Sequence, residues 1–307
     1  MHAAVVAVTD NDWAGFLRER PAITEANFWM PSAAQGFRRP AGEPFLFKTH
    51  RPHNQLVGGG FVSGFTRLKV SEAWEFFGEG NGVASREELL VRLDHYRSGP
   101  REPDPVIGCV LLRDLFFVAE ELALPAPPDF ASSIVRWKYY DRASASYVER
   151  ALEHLLTTSD GPAGLTTAAP AVPGPTRGVP TLTVPRLGQQ AFKGMVLTAY
   201  HRRCAITGAR ITPVLQAAHI RPVSEDGEHR VDNGLLLRSD VHILFDRGYL
   251  GVDDRYRLQV SPHLRSDFGN GQEFYDRAGA VIALPDHRSE RPNKEAVSWH
   301  MDTKFLR

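Results

Sequence analysis

The chain has 307 residues, 42% hydrophobic and 23% charged, with a formal net charge of zero at pH 7. That composition is globular, and the balanced charge excludes a protein that holds nucleic acid by bulk positive charge alone. No apolar run approaches the ~20 residues that span a bilayer, "MHAAVVAVTDNDW" lacks the layout of a signal peptide, and two cysteines make no disulfide framework, so a cytoplasmic protein without a membrane partner is expected.

In chain order, strand-like runs rich in β-branched and aromatic residues occur at "HAAVVAVT", "PFLFKTH" (44–50), "QLVGGGFVSGFTRL" (55–68) and "VIGCVLLRDLFFVA" (106–119), with Gly or Pro near the ends of the last three. Helical pieces intervene at 11–20, 71–79 and 85–97, the last with Leu89, Leu90, Leu93 and Tyr96 at helical spacing and Ser85 as N-cap. Strands with segregated helices predict an α+β domain around a curved sheet or small barrel. A helix over 144–156 closes it. Residues 157–185, rich in Pro, Gly, Thr and Ala, read as a flexible linker. The expected organisation is therefore a domain over 1–156, a linker over 157–185 and a second domain over 186–307.

The second domain opens on a helix (186–204) whose Phe192, Val196, Leu197 and Tyr200 share a side. "VLQAAHI" and "NGLLLRS" follow as strands, then "DVHILFDRGYL" as a helix with Asp240 as N-cap, then a hairpin around Asp253 and Asp254. Between Asp160 and Glu225 there are seven basic residues and no acidic one. Of these, Arg202, Arg203, Arg210 and Arg221 are candidates for phosphate contacts, which position without specifying sequence, or are plain surface charges.

The segment "AAHIRPVSEDGEHRVDNGLLLRSDVHILFD" (217–246) carries the chemistry. Phosphodiester hydrolysis needs a base for water and a cation for the developing charge, held on one frame. His219 ends a predicted strand, a rigid place for a base. His242 and Asp246 lie four apart on a predicted helix, so they share a face and can share a cation. Asn233 begins the strand between them, where its amide can tie the loop and orient His219. His229 reads as solvated; His263, His287 and His300 have no visible partners.

These residues, with "RCAITG" before and "FDRGYL" after, resemble the HNH family of nucleases and its ββα-metal fold, over roughly 186–307. The resemblance implies His219 as general base, Asn233 as the middle Asn, His242 as metal-binding His and Asp246 as a further ligand. It implies a divalent metal, Mg²⁺ or else Mn²⁺ or another transition metal. Ala218 stands where many relatives keep a metal ligand, and Cys204 has no C-x-x-C partner, so no structural zinc is expected.

In the first domain, "ANFWMPS" (26–32), "FLFKTH", "LVGGGFVSG", "SEAWEFFGEGNG", "DPVIGCVLL" and "IVRWKYYD" (134–141) are similar to the PUA superfamily, nearest its EVE and ASCH branches. That resemblance implies nucleic-acid binding and a pocket for an unusual base. A flipped base needs aromatic faces and polar groups. Trp29, Phe47 and Trp74, in that order, are the candidate walls, ahead of Phe45, Trp137 and Tyr139. Lys48 and Asn54, with Thr49 and His50, are the candidate polar readers. The alternative is that most of these aromatics are core. Gly58, Gly59 and Gly60 suit either close ligand approach or a bulged strand.

Together the two resemblances imply a modification-dependent restriction endonuclease that flips out a modified base, modified cytosine first, and cuts DNA nearby as a homodimer. Two other readings stay open: an HNH nuclease whose first domain reads RNA or DNA structure, and a non-catalytic reader with a degenerate HNH domain.

Overall fold

A computed structural model describes residues 4–34, 36–97, 101–141, 144–159 and 188–307. Contacts divide the chain into two compact units, Met1–Ala191 and Phe192–Arg307.

The first unit is built on β1 (Ala4–Thr9), β2 (Glu25–Met30), β3 (Pro44–Thr49), β4 (Gln55–Lys69), β5 (Val106–Phe117), β6 (Leu124–Pro125) and β7 (Trp137–Tyr140). They form one mixed sheet in the order β2-β5-β4-β3-β1-β7, with β6 paired to β4. β1 and β3 run parallel and the other pairs antiparallel. Both faces are covered, so the central strands lack the apolar–polar alternation of a half-exposed sheet. Val5, Ala7, Phe45 and Phe47 enter one core with Trp13 and Leu17 of helix α1 (Asn11–Arg18). Val6, Leu46 and Tyr140 enter the other, against Val148, Ala151 and Leu155 of a C-terminal helix (Ser146–Thr158). That helix runs two residues into the stretch read as linker. The linker from 160 to 185 lies outside the described residues.

The triple glycine of β4 is explained by the sheet. A Cβ at Gly58 would collide with the Phe116 carbonyl, and one at Gly59 would meet the Phe116 ring and the Phe45 carbonyl. The β4–β5 register shifts between Gly59 and Phe61 and again between Val62 and Gly64. Close strand approach at a bulged bend therefore accounts for this run, rather than approach of a ligand. Two helices, α2 (Val70–Phe77) and α3 (Arg86–Tyr96), connect β4 to β5. Ser85 caps α3 by accepting from the Glu88 N–H at 3.1 Å. The helix Ser146–Thr158 is α4.

In the second unit, buried Phe192, Val196 and Leu197 come from α5 (Gln189–Ala199), with Tyr200 just beyond its end. A two-stranded ribbon follows, β8 (Leu215–His219) antiparallel to β9 (Gly234–Arg238), with His219 opposite Gly234. Helix α6 (Ser239–Asp246) leaves β9 directly. Asp240 is not its N-cap. It sits in the first turn and takes a bidentate pair from Arg238, at 2.6 and 2.7 Å. The hairpin β10 (Leu250–Val252) and β11 (Leu258–Val260) completes the predicted series. Short helices α7 (His263–Phe268) and α8 (Gln272–Tyr275) follow, and α9 (Lys294–Thr303) ends the unit. Cys204 is buried, and its sulfur accepts from the Thr207 and Arg238 N–H groups, fastening the "RCAITG" turn to the start of α6.

No helix among the described residues is long and apolar enough to cross a membrane.

Candidate active site

In the second unit, the end of β8 and the loop after it, α6 and the C-terminal part of α9 enclose a cleft of about 320 Å³ lined by His219, Ile220, Pro222, His242, Asp246, His300 and Lys304. Three residues singled out in the sequence, His219, His242 and Asp246, thus meet in one place.

His219 is the last residue of β8. Its ring stacks on Phe192, with centroids 4.1 Å apart and planes 10° apart. Its Nε2 lies 3.0 Å from Nδ1 of His229. Nδ1 of His219 has no hydrogen-bond partner among the described residues. Burial pushes this imidazole down to about 4, and nearby His229 and His242 push the same way. At neutral pH the ring is uncharged, the form a base requires. His229, read from sequence as solvated, is half-buried instead.

Asn233 lies just before β9 and is buried. Its Oδ1 accepts from the Arg221 N–H at 3.0 Å, and its Nδ2 donates to the carbonyls of Arg221 and Glu228, both at 2.9 Å. One amide thereby ties the loop after His219 to the loop before β9. Asn233 does not line the cleft; it acts on the loop's backbone.

His242 projects from α6. Its Nδ1 lies 2.8 Å from Oε1 of Gln216, and its Nε2 lies 3.2 Å from Oδ2 of Asp246. Both ring nitrogens face oxygen acceptors, and a cation placed between Nε2 and Asp246 would leave the proton on Nδ1, towards Gln216. That is the arrangement a metal-binding imidazole needs, with the far nitrogen anchored by a second residue. The donor set fits a divalent cation: one imidazole nitrogen and one carboxylate, leaving the other positions to water and phosphate oxygens. No cluster of three or more His, Cys, Asp or Glu fit for a metal occurs among the described residues. Ala218 is fully buried in the core and contributes no donor. Two residues earlier on the same strand, Gln216 reaches the metal-side histidine.

Sequence reading also missed His300 of α9 and Lys304 just after it. His300 is buried, stacks on Phe245 with centroids 3.8 Å apart, and engages the Phe245 carbonyl through Nε2 at 3.0 Å. Burial pushes it down to about 4. No spacing signal linked α9 to the motif, because about 50 residues of intervening chain separate them.

Of the four arginines proposed for phosphate, Arg221 is engaged in its own loop. It donates to the Glu225 carbonyl at 2.5 Å and lies over the Trp299 ring. Arg210 is exposed; Arg202 and Arg203 are half-buried.

The first unit holds a separate pocket of about 270 Å³, walled by Trp13, Phe28, Trp29, Tyr96 and Trp137, with Asp10, His50 and Arg136 as polar members. Trp29 is fixed by its indole N–H, which donates to the Asn81 carbonyl at 3.0 Å. Tyr96 leans over it at 6.3 Å and donates to Asp10 at 3.2 Å. Of the five residues preferred for a base pocket, Trp29 lines it and four do not. Phe47 is wholly buried and stacks on Phe117 in the core. Trp74 lies on α2, away from the pocket lining. Lys48 is buried, with its ammonium on the Thr49 carbonyl at 2.9 Å. Asn54 sits in a turn with φ of 51°. Phe47 and Lys48 lie away from the pocket because, in a sheet covered on both faces, every position of β3 is interior.

Residues 204–253, within the second unit, match the HNH endonuclease family. No curated protein matches the chain. Among solved structures, the chain is similar to ASCH from Zymomonas mobilis, with 10% identity, 52% of this chain and 96% of that chain covered, and a TM-score of 0.34. It is also similar to the modification dependent TagI restriction endonuclease, with 14% identity, 85% of this chain and 60% of that chain covered, and a TM-score of 0.27.

Proposed function

We propose that this protein is a metal-dependent DNA endonuclease directed by a modified base, modified cytosine first. The observation that carries the reading is the shared cleft. It holds a neutral imidazole with one free ring nitrogen, and an imidazole–carboxylate pair whose other ring nitrogen is anchored on Gln216.

His219 takes a proton from water onto Nδ1. The water oxygen forms a new bond to phosphorus, and the bridging P–O bond breaks. The leaving oxygen keeps the electron pair and takes a proton from solvent. His242 and Asp246 would hold a divalent cation, which would supply positive charge to stabilise the phosphate oxygens. Asn233 keeps the His219 loop in place. Lys304 lines the same cleft and supplies a fixed positive charge beside the phosphate.

Recognition is assigned to the pocket of the first unit, with Trp29 and Trp137 as stacking faces and Asp10, His50 and Arg136 as polar readers of the base edge. A base extruded from the duplex presents both a π-face and an edge, which suits a mostly aromatic wall with a few polar groups. A single HNH site cuts one strand, so double-strand cleavage calls for a homodimer or two bound molecules. Restriction of modified phage DNA in the cytoplasm is the biological role that follows.

A second reading, a non-catalytic reader, is favoured by Ala218. Incubation of the full chain with methylated, hydroxymethylated and unmodified DNA, and with RNA, in Mg²⁺ or Mn²⁺ separates the two. Cleavage confined to modified DNA supports the proposal. Equal cleavage of modified and unmodified DNA removes the reader role and leaves the nuclease. No cleavage of any substrate leaves the non-catalytic reader.

A further inference from the structure

We propose that His229 is a positioning residue for His219: its Nδ1 accepts the Nε2–H of His219 and thereby fixes the tautomer in which Nδ1 of His219 is free to take a proton. The inference rests on the nuclease reading for its consequence, though not for its geometry.

Four observations bring it together. The two ring nitrogens are 3.0 Å apart, within hydrogen-bond reach, and neither carries another partner among the described residues. Phe192 packs against both rings, stacked on His219 at 4.1 Å and tilted against His229 at 5.8 Å, so neither ring turns freely. The backbone on both sides is held by the same side chain. Asn233 bonds to Arg221, two residues after His219, and to the Glu228 carbonyl, immediately before His229. Finally, burial lowers the proton affinity of both imidazoles, so both rings are neutral with one N–H each, and one of these N–H groups bridges the pair.

The role of base, taken from the nuclease reading, sets the direction of that bond. If His229 donated instead, His219 would hold its own proton on Nδ1 and have no lone pair left for water. With His219 donating through Nε2, each ring keeps one proton. His219 then takes the proton from water on Nδ1, and the charge it gains is stabilised by the acceptor lone pair of His229. This is the role a carboxylate or carbonyl plays behind other catalytic histidines, supplied here by an imidazole.

The test uses the full chain and the variants His229→Ala and His229→Asn. In Asn, the amide Oδ1 replaces Nδ1 as acceptor at the same distance from the backbone. With modified DNA and Mn²⁺, His229→Ala is expected to lose about 10²-fold in kcat, the scale of a misplaced catalytic group, with KM and DNA affinity unchanged. His229→Asn is expected to recover most of the rate. In parallel, ¹⁵N spectra of the histidines should show His219 protonated on Nε2 in the wild type and in His229→Asn, and a tautomer mixture in His229→Ala. The His219 signal is identified by its loss in His219→Gln. Wild-type kcat in His229→Ala, or a His219 tautomer indifferent to the substitution, overturns the inference. A wild-type chain that cuts no DNA while the tautomer shift is present overturns the nuclease reading and keeps the imidazole pair.

Discussion

Gln216 and His242 meet side chain to side chain, with Oε1 of the first 2.8 Å from Nδ1 of the second. The bond joins β8 to α6, the two elements that carry the proposed base and the proposed metal ligand. It also answers the problem raised by Ala218. The strand supplies no ligand of its own at that position, but it anchors the imidazole on the helix.

Removing that anchor is predicted to weaken the metal without unfolding the site. Gln216→Leu should lower Mn²⁺ affinity about 10–100-fold, the usual effect of losing a group that orients a ligating histidine. Gln216→Glu, which still accepts from Nδ1–H, should hold affinity near wild type. Calorimetric titration of the full chain checks this, and equal affinities for Leu and Gln at the position would contradict it.

Asn233→Ala removes three side-chain hydrogen bonds at a buried position. Each is worth about 1 kcal/mol net. A loss of about 2–3 kcal/mol in urea unfolding is expected, with cleavage falling alongside because both histidine loops come loose. A variant as stable as the wild type would show that the loop is held by other means.

Trp29 and Phe47 should separate cleanly. Trp29→Ala removes a pocket wall and is expected to cost about 1–3 kcal/mol of preference for modified over unmodified DNA, with a smaller fall in melting temperature than Phe47→Ala. Phe47→Ala empties the core and is expected to cost about 3–5 kcal/mol of stability. Competition binding and thermal melts distinguish them. A Trp29 variant with full discrimination would move recognition away from this pocket.

Acid should destabilise the fold through its buried histidines. His219 and His300 each titrate near 4 in the native state, against about 6.5 when unfolded. Between those values the unfolded chain binds protons that the native chain refuses, so stability falls as pH drops from about 6.5 to 4. Their contribution is complete above 6.5 and fully lost below 4. Urea midpoints from pH 7 to 4 in wild type and His300→Gln measure it. The variant should show a shallower decline, and parallel curves would contradict the assignment.

The elements of both units were largely legible because each announces itself locally. Ser85 sits one helix start before Leu89 and Leu93, and the Leu run after Asn233 is a buried strand. His219, His242 and Asp246 were legible because their spacing on strand and helix fixes which way they project. What sequence could not reach was set by the third dimension. His229 lies in a polar loop whose composition signals solvent, yet Asn233 draws that loop against His219. His300 and Lys304 reach the cleft on a helix far along the chain. Phe47 and Trp29 look alike as aromatic strand residues, and only the covering of both sheet faces makes one core and leaves the other at a pocket.

The measurement that bears most directly on the central claim is single-turnover cleavage of modified DNA in Mn²⁺ by wild type and His219→Ala. Wild type should cut, and the variant should lose at least about 10²-fold, the lower end of what a general base contributes, with DNA affinity and Mn²⁺ affinity unchanged. Cutting by His219→Ala at the wild-type rate would remove His219 as the base and with it the account of the cleft.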